Sequence, residues 1–205
     1  MQFLNLKSIL SLSFVMLSTS LAFSAPVKQA DLTGTQYCKD ETKLKNLSSI
    51  AHLDERNEID RIVVSKKSRE LYLISQGRIY KTYKVAFGFG FYGGNKVQMG
   101  DGRTPEGIYR VELKNAQSAY YKALRVSYPN ARDKAFAKAS GVNPGGDIMI
   151  HGFPVADNKE LQRYALSQTH PQLNWTQGCV AVTDKEIEEI FSLVAVNTTI
   201  EICPR

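Results

Sequence analysis

Three runs of β-branched and aromatic residues follow one another with almost nothing between them: RIVVS at 61–65, ELYLIS at 70–75 and IYKTYKVAF at 79–87. The spacers, KKSR and QGR, hold four and three residues. A parallel crossover needs about a dozen residues or more, so these spacers permit only antiparallel hairpins. A meander of this kind commits the chain to a β framework.

Later segments extend that character. IYRVEL (108–113), LRVSY (124–128), DIMIH (147–151), VAV (180–182) and TTIEI (198–202) all read as strands. Helical signals sit between them. NARDKAFAKAS (130–140) has Asn130 as its cap and Gly141 as its stop. DNKELQRYALSQ (157–168) carries Leu161, Tyr164 and Ala165 at helical spacing. TDKEIEEIFSLVA opens with Thr183 and Glu186 in capping-box spacing and sets Ile187, Ile190, Phe191 and Val194 on one face. The expected class is mainly β with peripheral helices.

Seven of the chain's 14 glycines fall within 88–107, GFGFYGGNKVQMGDGRTPEG, too many for a regular helix or a long central strand. This segment reads as a loop whose backbone can approach another chain or a ligand. The plainer alternative is a surface linker.

The amino terminus, MQFLNLKSILSLSFVMLSTSLAFSAP, has one early positive charge and then an apolar, hydroxyl-rich run ending in small residues, the pattern of a cleavable signal over 1–24. Its apolar part, 9–23, is shorter than the roughly 20 residues a membrane-spanning helix needs. We therefore expect export, with no transmembrane segment after cleavage. A polar leader, 25–59, with a short helix around LKNLSSIAHL, is expected to pack on a single domain over 60–205. Losing Lys7 with the signal leaves 25 Lys and Arg against 20 Asp and Glu. That mild excess, without basic blocks interleaved with aromatics, does not point to nucleic acid.

Three cysteines, at 38, 179 and 203, leave one thiol over in an exported chain unless two chains join. The division we expect pairs Cys38 with Cys203 and leaves Cys179 free, although spacing alone does not fix connectivity. A working thiol needs a base or a positive neighbour. His151, at the end of a predicted strand and followed by Gly152, is the candidate base, reached if the strands 147–151 and 179–182 lie side by side. Thr176 and the backbone amides around Gly178 and Cys179, at the TQGC turn, are candidate oxyanion donors; a glycine that merely permits a bulge is the other reading of Gly178. A zinc site from His151, His170 and Cys179 lacks any C-x-x-C or H-x-x-x-H pair. Nothing in the sequence calls for a cofactor.

The combination GRTPEGIYRV, IHGFP and TQGCVAVT resembles the L,D-transpeptidase catalytic domain of the YkuD type, over roughly residues 60–203, and is similar to the YafK-like branch in its WTxGC followed by A-V-T and an acidic helix. The resemblance implies a β-sandwich or barrel with a helical insert between the histidine and the cysteine. It also implies Cys179 as nucleophile, His151 as proton acceptor and donor, and Gly152 as the residue whose carbonyl orients the imidazole. Two positions depart from the family: Gln177 stands where a second histidine is usual, and Ala181 where an arginine or asparagine is usual. Arg163, Lys159 and Tyr164 of the insert are candidates to replace the lost polar contact.

The implied chemistry is attack by Cys179 on the third residue of a peptidoglycan stem peptide, giving a thioester that is passed to an amine. The alternatives are hydrolysis, either trimming the stem or releasing a peptidoglycan-linked lipoprotein, and a cell-wall binding module that has lost turnover.

Overall fold

The structure, a computed structural model, describes residues 36–53, 58–155 and 159–205. The expected signal at 1–24 and the first part of the leader lie outside the described residues. Among the described residues eight strands, β1 Arg61–Ser65, β2 Glu70–Ser75, β3 Arg78–Lys84, β4 Gly107–Ser118, β5 Tyr121–Val126, β6 Met149–His151, β7 Val180–Ala181 and β8 Thr199–Cys203, form a sheet in the order β3-β2-β1-β8-β4-β5-β6-β7. β1, β2 and β3 are the antiparallel meander that their short spacers dictate. β8 enters parallel to β1 and antiparallel to β4.

β4 makes the sheet curl. It pairs with β8 over 107–110 and with β5 over 111–118, with two register shifts in the second half; such bulges bend a strand and raise its twist. The curl brings the two ends together: just past β3, Ala86 exchanges both backbone hydrogen bonds with Ala181 of β7, each 2.9 Å. The result is a mainly β, single curled domain.

Alternation along the strands feeds two apolar layers. Ile62, Val64, Leu71, Leu73, Ile200 and Ile202 face the main core with Val111, Leu124, Ile150, Val180 and Val182. Val63, Tyr72, Ile74 and Cys203 face the other way, where Tyr37, Cys38 and Leu44 of the leader cover them. Both faces of β1 and β2 are thus dry, which is why RIVVS and ELYLIS carry so few polar residues. A disulfide joins Cys38 to Cys203 in this second layer. Beside it, fully buried Glu201 accepts the Gln36 and Tyr37 N–H groups at 3.0 Å and forms an ion pair with Arg61.

Among the described residues four α-helices flank the sheet: α1 Thr42–Lys45, α2 Ala131–Ala139, α3 Glu160–Thr169 and α4 Asp184–Leu193. The helix expected around LKNLSSIAHL ends at Lys45. The serines beyond it leave the helix, and the backbone of 48–50 bonds instead to the free edge of β3 at Ile79, with both N–H···O distances 2.9 Å. α2 and α4 start with complete capping boxes at Asn130/Asp133 and Thr183/Glu186. α3 differs from its sequence pattern: Leu161 and Tyr164 are exposed and only Leu166 is buried, because no element among the described residues packs on the face that they share.

The glycine-rich segment is tied down from within. The buried Lys66 ammonium donates to the Thr104 carbonyl at 2.5 Å and to Glu106 at 2.8 Å, and Asp101 accepts N–H groups from Val97, Gln98 and Arg103. It is a built loop, and its backbone lies directly against residue 178.

Candidate active site

β6 and β7 are short parallel neighbours, with Ile150 opposite Val180 and His151 opposite Ala181. Side chains alternate along a strand, so Ile150, Val180 and Val182 enter the main core while His151 and Ala181 share the other face. Cys179 immediately precedes β7, two residues from Ala181, and so belongs on the face of His151. Its sulfur donates to the carbonyl of Asp147, 3.5 Å away.

His151 is buried, and its Nδ1 lies 2.7 Å from the carbonyl oxygen of Gly152. A carbonyl only accepts, so Nδ1 carries the proton and Nε2 is left with the lone pair. The ring is boxed by aromatics: the Tyr120 centroid is 4.5 Å away, and Trp175 meets it edge-on at 5.6 Å. Burial pushes the His151 pKa down to about 4, against a smaller opposing effect of the Gly152 carbonyl. Cys179 keeps some surface, yet crowding around the sulfur dominates and pushes its pKa up to about 11. At neutral pH both groups rest uncharged.

The turn before the cysteine is built around Thr176 Oγ1, which donates to the Cys179 carbonyl at 2.8 Å and accepts the Gly178 N–H at 3.2 Å. The Thr176 N–H donates to the Phe87 carbonyl at 3.2 Å. The Thr176 and Gly178 amides are therefore engaged in the resting state. Gly178 has φ +125°, and a β-carbon there would lie 2.6 Å from the Arg103 carbonyl oxygen. Position 178 requires glycine.

Of the residues singled out in the insert, Arg163 is already committed. It forms an ion pair with Asp184 and donates to the Pro154 carbonyl at 3.2 Å. With Tyr164, Phe153, Glu160 and Lys185 it lines a cavity of about 520 Å³ beside the Gly152–Phe153 segment. His170 bonds through Nε2 to the Lys84 carbonyl at 3.2 Å. Ala181 is fully buried, and its backbone pairs with β6 at His151 on one side and with Ala86 on the other. Sequence reasoning missed Tyr120 and Asp184: one sits in a β-turn and the other at a helix start, and neither position carries a local sign of what it touches.

A curled, mainly β domain with a thiol and an imidazole on one face of adjacent parallel strands is the class that this architecture defines. The chain belongs to the L,D-transpeptidase catalytic domain family, YkuD, whose profile matches residues 59–202. A protein of Escherichia coli K12 provisionally named L,D-transpeptidase YafK is 32% identical over 139 residues, 65% of this chain and 46% of that protein. The chain thus spans somewhat under half the length of that relative. Among solved structures, the helical cell shape determining protein Pgp2 of Campylobacter jejuni matches with a TM-score of 0.50 and 21% identity, over 82% of this chain and 56% of that one. Its K307A mutant gives 0.51 and 24%, over 78% and 52%. These two share the fold. No helix among the described residues is long and apolar enough to cross a membrane.

Proposed function

We propose that the protein is an exported cysteine acyltransferase acting on peptidoglycan stem peptides in the periplasm, with residues 1–24 removed as a signal. The observation that carries this reading is the parallel register of β6 and β7, which supports a pairing of tautomer-locked His151 with Cys179, the residue just before β7.

In this mechanism Nε2 of His151 accepts the thiol proton as Sγ attacks the carbonyl of the third stem residue. Because thiol and imidazole both rest neutral, the proton moves during attack and no thiolate is stored beforehand. The Gly178 N–H, held only by a 3.2 Å bond to Thr176 Oγ1, releases that oxygen to meet the developing oxyanion. His151 then returns its proton to the departing amine of the terminal D-alanine, leaving a thioester. An amine of a second stem takes the acyl group and restores the thiol. Thr176 acts through its hydroxyl, which shapes the turn; its own amide stays with Phe87.

Intact mass spectrometry after exposure to a carbapenem tests the nucleophile: a single adduct on Cys179, lost in Cys179→Ser, is expected, and an unlabelled protein favours a wall-binding module. Incubation with a disaccharide tetrapeptide reads the outcome. Dimers mean transfer, tripeptide alone means trimming, and neither points to release of a wall-linked protein.

A further inference from the structure

The Gly152 carbonyl that accepts the His151 Nδ1 proton belongs to the same peptide group as the Phe153 N–H. That N–H donates to Asp184 Oδ1 at 2.8 Å. A peptide group is planar, so fixing its N–H also fixes the direction in which its carbonyl points. A carboxylate on the N–H side further polarises the amide and strengthens the bond on the carbonyl side. We propose that Asp184 is a positioning residue for His151, acting through the Gly152–Phe153 peptide, and that Arg163 of the insert helix α3 holds Asp184 in place. The proposal rests on the reading of His151 as the base for Cys179.

Two independent features support it. A β-carbon at Gly152 would lie 2.5 Å from Asp184 Oδ1, so glycine is needed there because the carboxylate fills the space a side chain would take. Arg163, in turn, reaches both ends of the arrangement, pairing with Asp184 and donating to the Pro154 carbonyl. The other oxygen, Oδ2, faces that guanidinium. This assigns a role to a helix that buries only Leu166.

The test is the second-order rate of Cys179 alkylation by iodoacetamide at pH 7, with the Nδ1 proton of His151 followed by NMR and folding by circular dichroism. A positioned base contributes about a hundred- to ten-thousandfold, and misalignment forfeits part of that. Asp184→Ala is therefore expected to slow alkylation about tenfold or more and to broaden or lose the Nδ1 proton signal. Asp184→Asn, which keeps an oxygen for the Phe153 N–H, recovers most of the rate. Should Asp184→Ala fail to fold, Arg163→Met decides from the surface side, with a few-fold slowing and a displaced Nδ1 signal expected. A purely structural Asp184 would lower the melting temperature and leave rate and signal unchanged. If His151→Ala slows alkylation strongly while Asp184→Ala and Arg163→Met stay within about twofold of the parent, the positioning role is overturned and the base survives. If His151→Ala has no effect, both fall.

Discussion

Nδ1 of His151 and the carbonyl oxygen of Gly152, its neighbour in sequence, stand 2.7 Å apart, which places the ring proton on Nδ1 and leaves the lone pair on Nε2. With the imidazole pKa near 4 and the thiol pKa near 11, the competent neutral pair exists across the whole range between. The rate of Cys179 acylation by a carbapenem is therefore expected to be flat from mildly acidic to mildly alkaline pH. Below about 4 it should fall roughly tenfold per pH unit, as protonation removes the base. An acid limb centred near 6.5 would point instead to an imidazole that burial does not shift, and thiolate absorption in the ultraviolet at pH 7 to a pre-formed ion pair.

The same burial ties His151 to acid stability. Its folded pKa lies below its unfolded value, so the unfolded chain takes up a proton first as pH falls. Stability is full above about 6.5 and is lost as pH drops towards 4, by an amount on the order of 3 kcal/mol. His170, also lowered by burial, adds in the same direction. Urea titrations at stepped pH should show this limb in the parent and a much shallower one in His151→Gln.

What the sequence disclosed and what it withheld divide by range of interaction. The α4 capping box was legible because Thr183 and Glu186 are three residues apart and each caps the other's backbone with its side chain. The meander was legible because its spacers allow no other connection. Closure of the sheet at Ala86 and Ala181 was not, since two alanines 95 positions apart carry no sign of pairing. Helical spacing in α3 was real, yet Leu161 and Tyr164 face outward, because periodicity defines a face without saying what covers it. At the site, residue types pointed to Cys179 and His151, while the engagement of the Thr176 amide by Phe87 depended on a segment some 90 residues upstream.

The Cys38–Cys203 bridge spans 165 residues and pins the leader over the outer face of β1 and β2. Restricting so long a loop in the unfolded chain, and holding Tyr37 and Leu44 on the second apolar layer, both favour the folded state. Cys203→Ser, or reduction in a Cys179→Ser background that prevents thiol exchange, is expected to cost about 2–5 kcal/mol in urea unfolding. A loss below about 0.5 kcal/mol would mean that the leader contributes little to the stability of the domain.

Gly178 and Gly141 separate backbone freedom from space. Both have positive φ, +125° and +64°, but a β-carbon at 141 meets nothing within 4 Å, whereas at 178 it would strike the Arg103 carbonyl oxygen. Gly141→Ala should therefore cost only the left-handed penalty, about 1–2 kcal/mol, and leave carbapenem acylation at the parental rate. Gly178→Ala must either push the Arg103 backbone away or rotate the turn, and φ +125° lies outside the region that alanine tolerates. Either movement shifts the Cys179 amide and sulfur relative to His151. The expected result is a stability loss of more than about 2 kcal/mol and acylation slowed at least about a hundredfold even where the protein stays folded. A folded Gly178→Ala variant that acylates at the parental rate would show that the TQGC turn is not part of the reacting geometry.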